Sequence, residues 1–212
     1  MGGVVRLREA MKLFKRRKTE DHPPFLIIGL GNPGPEYKHN RHNVGFMVLD
    51  ELADELNATF GRVQSNALVA QARRGEARLV LAKPRTFMNR SGSAVGSLLR
   101  FYKAPLEKVL VIYDDVDLPF EALRLRASGG SAGHKGMRSI IENIGTQEFA
   151  RMRVGVGRPK GRMSTPDHVL QDFSKSEQEG LPFVLQKAAK AALTFADEGI
   201  VAAMNAYNSK ET

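Results

Sequence analysis

The residues able to do chemistry gather in four short runs. Asn32, Tyr37, His42 and Asn43 lie within GLGNPGPEYKHNRHN (29–43); the others are Phe87-Met88-Asn89, Asp114-Asp115-Val116-Asp117 and GGSAGHKG (129–136). An imidazole such as His42 can take a proton near neutral pH, and a carboxylate such as Asp114 can orient it and stabilise its charged form. The amides of Asn32 and Asn89 both donate and accept, which suits holding a water or a carbonyl. The chain has no cysteine and no G-x-S-x-G elbow, so a His–Asp pair acting on water is the natural hydrolytic reading. Each run also has a plainer reading. His42 could be a structural histidine, Asn89 a helix cap, and Phe87 and Met88 either a hydrophobic wall or core packing. The Asp-Asp-x-Asp run could be solvated, could cap a turn, or could hold magnesium, the weakest of the three. The glycine-rich run could cradle phosphate or act as a flexible lid.

Gly29-Leu-Gly31-Asn-Pro-Gly34 matches G-x-G-x-x-G after an apolar strand, the dinucleotide fingerprint. That fingerprint needs a helix opening inside the glycines, with free backbone N–H groups toward a pyrophosphate. Pro33 and Pro35 each remove an N–H, and helical periodicity resumes only at Val44. The acids that would have to bind a ribose, Asp50, Asp54 or Glu55, fall inside the next helix. The nicotinamide reading is rejected.

The elements that must position these runs alternate along the chain. Residues 25–28 are short, apolar and branched, as in a buried strand. Val44, Val48, Leu52 and Leu56 recur every four residues and mark a helix with Asn43 at its N-cap. Residues 66–72 and 77–82 alternate around Arg73-Arg74-Gly75 as a hairpin. Ser91 or Ser93 can cap a helix whose Val95, Leu98, Leu99 and Tyr102 share a face. Residues 109–113 read as a central strand covered on both sides. Strands over 122–126 and 152–156 flank a loop (128–136) and a helix (137–144), and one or two helices fill 181–207 with a break at Gly199. Strands interleaved with helices predict one α/β domain over residues 25–212, a twisted mixed, largely parallel sheet flanked by helices. Open sheets of this kind bind ligands at the carboxyl ends of their strands, where loops can converge.

Composition narrows the partner. The chain has 212 residues, 42% hydrophobic and 26% charged, ordinary for a globular protein, and a net charge of +9. No apolar run is long enough to span a bilayer. Residues 1–24 hold seven Lys/Arg against three acids and read as a basic extension, with a basic amphipathic helix over 5–18. Their acids and lack of serine argue against a mitochondrial presequence. Residues 124–160 hold eight Lys/Arg against two acids. A basic segment inside the folded body, beside a glycine-rich loop, points to a polyanion, nucleic acid first.

The runs GLGNPGPEY, RHNVGF, KPRTFMNRSG, YDDVDLP, GGSAGHKGMRSI and RMRVGVGRP, in this order from about Phe25 to Asn208, resemble bacterial-type peptidyl-tRNA hydrolases. The resemblance implies the corresponding fold and hydrolysis of the ester between a peptide and the tRNA 3′ end. It makes His42 the general base, Asp114 the acid that orients it, Asn32 the residue that separates blocked from free aminoacyl groups, and Asn89 the catalytic-site amide. Tyr37, Asn43, Phe87 and Met88 become substrate contacts. Arg124 and Arg126 become a clamp on the terminal phosphate, and Arg153 a further tRNA contact. It also implies a monomeric, cytoplasmic enzyme acting on peptidyl-tRNA without metal or other cofactor. One position departs: Lys135 stands where the family usually has a substrate-binding asparagine; lysine cannot accept a hydrogen bond, but it can contact a phosphate or a carbonyl oxygen as a point charge and stays among the substrate contacts. A non-catalytic RNA-binding module on the same fold, as in a chloroplast relative that serves intron splicing, is the alternative.

Overall fold

The computed structural model describes residues 22–159 and 161–208; the basic helix expected over 5–18 lies outside them. Seven strands form one sheet: β1 (Phe25–Gly29), β2 (Arg62–Gln64), β3 (Ala67–Arg74), β4 (Ala77–Pro84), β5 (Val109–Asp115), β6 (Leu123–Arg126) and β7 (Ala150–Gly155), in the order β2-β3-β4-β1-β5-β7-β6. The centre, β4-β1-β5-β7, is parallel; β2, β3 and β6 join antiparallel at the edges. β1 and β5 are apolar along most of their length because both faces are covered, as expected for central parallel strands.

Helices α1 (Val44–Glu55), α5 (Lys175–Glu198) and α6 (Ile200–Tyr207) cover one face, and α2 (Ser91–Tyr102) and α3 (Lys135–Ile144) the other. A short helix, α4 (Thr165–Val169), follows β7. Ile27, Leu49, Leu81, Ile112 and Phe195 belong to the first core, and Ile28, Val80, Leu98, Val111 and Ile140 to the second. Among the described residues no helix is long and apolar enough to cross a membrane.

The structure departs from the sequence reading at several ends. β2 was not expected; Ser65 and Asn66, both at positive φ (52° and 56°), form the two-residue turn that pairs it with β3. The hairpin strands run on through Arg73 and Arg74, so the turn is Gly75-Glu76. Neither Ser91 nor Ser93 caps α2 as an acceptor: their hydroxyls donate to the carbonyls of Met88 and Arg90. α5 begins at Lys175 rather than near 181, because Ser174 and Glu177 form a capping box, and the helix then runs through Pro182. Gly199 (φ 87°) makes the expected break before α6.

One close approach ties α1 to the ends of the strands. A Cβ on Gly45 would lie 2.4 Å from the Ile112 carbonyl oxygen and 2.6 Å from the Leu30 nitrogen. Only a glycine lets the first turn of α1 sit on β5. Gly45→Ala is expected to cost about 1–3 kcal/mol through overpacking, lowering Tm by roughly 2–4 °C per kcal/mol. A thermal melt matching the wild type would refute this contact.

Candidate active site

The carboxyl ends of β1, β4 and β5 lie side by side, so the loops after them meet. The loop after β1 ends in a 3-10 turn, Arg41–Asn43, that delivers His42 to the end of β5. There His42 Nδ1 lies 2.8 Å from Asp114 Oδ1. The same oxygen receives His134 Nε2 at 3.1 Å. Met137 N–H donates to His134 Nδ1 (3.2 Å), so the His134 ring proton sits on Nε2 and points at Asp114. With Nδ1–H of His42 also turned to the carboxylate, His42 keeps its Nε2 lone pair for the cavity. Burial pushes the Asp114 carboxyl up, but the charges and hydrogen bonds of the two imidazoles outweigh this and hold it well below the usual carboxylate range.

Asn32 is fixed from both sides. Asn43 accepts from the Asn32 N–H with Oδ1 and donates to the Asn32 carbonyl with Nδ2, each at 2.9 Å. Asn43 therefore stands at the N-cap position of α1 without capping it, its amide occupied with Asn32. The Asn32 Oδ1 accepts from Met88 N–H (2.9 Å), which assigns the amide's orientation and leaves Nδ2 as the donor facing outward. Met88 is buried against Gly136, where a Cβ would come within 2.5 Å of its sulfur.

These groups border a cavity of about 830 Å³, within the size range of ligand sites. Asn32, His42 and Asn89 line it, as do exposed Phe87, the Met88 side chain and Lys135. Tyr113 forms part of its floor; burial pushes the phenol up to about 12, so it stays neutral, and its ring packs on His134 at 4.8 Å. Thr165, Pro166, Val169 and Leu170 of α4 and its exit form the far wall. That wall is anchored to the His42 turn. Arg41 donates to the carbonyls of Gln171 and Asp172 and pairs with Glu177 at 2.6 Å, and Asn40 donates to Asp172.

The sequence model of the peptidyl-tRNA hydrolase family matches residues 26–212. The chain is 47% identical over 187 residues to the peptidyl-tRNA hydrolase of Leifsonia xyli, covering 87% of this chain and 97% of that one. It is 44% identical over 207 residues to the chloroplastic peptidyl-tRNA hydrolase of Arabidopsis thaliana, covering 97% and 72%. The crystal structure of the Acinetobacter baumannii peptidyl-tRNA hydrolase superposes with a TM-score of 0.81 at 32% identity, over 88% of this chain and 96% of that one. The chain belongs to the peptidyl-tRNA hydrolase family. Members of this family are hydrolases of the ester bond of peptidyl-tRNA, and the relatives found lend nothing to a non-catalytic RNA-binding module.

Within this peptidyl-tRNA hydrolase fold, the basic segment is less uniform than its composition implies. Arg151 is buried, and its guanidinium donates to the carbonyls of Gly129, Gly130, Gln147 and Phe149, stapling the glycine-rich loop. That loop follows β6, whose antiparallel direction carries the chain away from the site, so the staple holds the return that brings His134 back. Arg153 pairs with Asp115, and Arg158 with Asp117 at 2.6 Å. The Asp-Asp-x-Asp run is thus no cation cage: Asp114 faces two imidazoles and its neighbours face arginines. The group that could share a metal ion, among the described residues, is His42, Asp114 and His134, whose ligand atoms lie within 4.8 Å of one another. Arg124 and Arg153 are cross-strand partners, and Arg126 lies opposite Arg151, so one face of the β6–β7 edge is lined with arginine. Arg124, Arg126, Arg153 and half-buried Tyr37 lie outside the cavity wall, and so does Asn43. Sequence reasoning gave no role to His134, although its place before an N-terminal helical turn was visible. It missed Arg41 and α4 entirely, since their importance depends on contacts about 130 residues apart.

Proposed function

We propose that His42 Nε2 takes a proton from water as that water attacks the ester carbonyl of peptidyl-tRNA. Asp114 orients the ring through Nδ1 and balances the imidazolium, and His134 holds Asp114 in place. Asn32 Nδ2 is aimed to donate to the oxygen that gains charge, with Asn89, next to the Met88 that holds Asn32, as the second amide. Asn43 acts through Asn32 and is a positioning residue. Phe87 and Met88 offer an apolar surface to the esterified residue. Arg124, Arg126 and Arg153 bind phosphate, giving affinity without base specificity, and Tyr37 contacts the tRNA at the rim. The enzyme is read as a cytoplasmic monomer. The observation that carries this reading is the carboxylate shared by His42 and His134 at the edge of a cavity lined by two asparagines.

The direct test is release of an N-blocked amino acid from tRNA, with unblocked aminoacyl-tRNA as control. Turnover of the blocked substrate alone is expected; no turnover at any enzyme concentration would sink the reading. Replacing Arg124 and Arg126 together by alanine is expected to raise KM for tRNA substrates and flatten the salt dependence. A small ester lacking most of the tRNA should scarcely respond. If both substrates suffer equally, the arginines serve folding.

A further inference from the structure

The cavity wall carries three acids, Asp114, Asp115 and Asp117, and two cations, Arg90 and Lys135. Every one of the acids already faces a partner: the two imidazoles, Arg153 and Arg158. Among the described residues the Arg90 guanidinium and the Lys135 ammonium have no hydrogen bond or ion pair, and both residues are exposed. They are neighbours in the fold. Gly136, next to Lys135, packs on the sulfur of Met88, two residues before Arg90, and α2 packs on α3 through Gly92 and Ser139. Lys135 is also the first residue of α3, where the helix dipole disfavours a cation. Local stability therefore gives no reason for it, and two uncompensated like charges on one wall await an anion.

That anion is distinct from the one held by the β6–β7 arginines. Arg90 follows β4, and β6 lies four strand positions away across the sheet, roughly 19 Å at about 4.8 Å per strand. One phosphate cannot reach both. We propose that Arg90 and Lys135 form a second phosphate subsite that takes the phosphodiester immediately 5′ of the terminal nucleoside, the anion every peptidyl-tRNA carries nearest its ester. This rests on the reading of the cavity as the ester site. It assigns a binding role to Arg90 and specifies which phosphate Lys135 meets.

The test compares an N-acetyl-aminoacyl ester of adenosine with the same ester on the dinucleotide CpA, which adds one phosphodiester. The full chain is expected to prefer the dinucleotide in kcat/KM, with a log–log salt slope steeper by about 0.7. The double substitution Arg90→Gln, Lys135→Gln should reduce that preference by about tenfold or more and remove the extra slope. Arg100→Gln, which removes one cation from α2, the helix that follows Arg90, but outside the cavity, should keep both. Binding of unesterified CpA against adenosine, followed by NMR, should show the same pattern without turnover. A preference retained by the double variant in both measurements overturns the subsite. So does a loss seen only with an acidic esterified residue, which would make the pair a reader of peptide carboxylates. If the wild type cleaves neither these esters nor N-blocked aminoacyl-tRNA, yet binds CpA through these residues, the hydrolytic reading fails and the subsite stands.

Discussion

Replacing His42 by alanine is expected to lower kcat by about 10²-fold or more while leaving tRNA affinity within a factor of two or so. The reason is the division of labour in the structure. His42 meets the cavity with one ring nitrogen and Asp114 with the other, whereas Arg124, Arg126 and Arg153, the proposed phosphate contacts, lie on β6 and β7. A general base acts only in the transition state, so its loss appears in kcat, as about 2.7 kcal/mol or more of lost stabilisation. The variant should still fold, because Asp114 keeps His134 as a hydrogen-bond partner when the first ring is gone. Single-turnover cleavage of N-blocked aminoacyl-tRNA, measured beside a tRNA-binding titration and a melt, checks all three statements. A wild-type kcat would make His42 structural.

Asp114→Asn is expected to be severe but milder, about ten- to a hundredfold in kcat. In serine proteases the equivalent change costs about 10⁴ because the amide turns the histidine to the wrong tautomer. Here a second histidine guards against that. Met137 N–H occupies His134 Nδ1, so His134 Nε2–H demands an acceptor at position 114, on the oxygen that also meets His42. An asparagine should therefore present its carbonyl oxygen to both rings and preserve the His42 tautomer, losing mainly the charge that balances the imidazolium. Combining Asp114→Asn with His134→Ala removes the guard and should deepen the loss by a further tenfold or so. If the double variant is no worse than the single, His134 does not set the orientation of residue 114.

Acid stability gives an independent readout of the same carboxylate. Its folded-state pKa is depressed, so the stability it adds is fully present above the unfolded value of about 3.9 and is lost as the pH falls through the folded value. Asp114→Asn should thus melt below the wild type near neutral pH, with the gap narrowing once the pH drops below about 4. A gap independent of pH would remove the charge from the account.

Much of this was legible along the chain. The apolar stretches of β1 and β5, the four-residue recurrence of α1, the hairpin and the break at Gly199 are written in local periodicity and in glycine. His42, Asp114, Asn32 and Asn89 stood out as polar residues in loops at strand ends, and the family resemblance supplied their roles as base, acid and amides. Other features depend on partners far apart in sequence, which no local pattern records. His134 looked like part of a flexible loop until Arg151 stapled that loop and the ring met Asp114. Arg151 counted toward a basic surface, yet it is buried on four carbonyls, and Asp115 and Asp117 balance Arg153 and Arg158. Asn43 reads as a cap from its neighbours, but the cross-loop contact with Asn32 takes its amide. The sequence by itself determined most of the elements, though not β2 or α4, and which residue types could act on an ester. Only the tertiary structure decided which nitrogen of each histidine meets Asp114 and which arginines remain on the surface, because both follow from hydrogen bonds between segments that the folded sheet brings together.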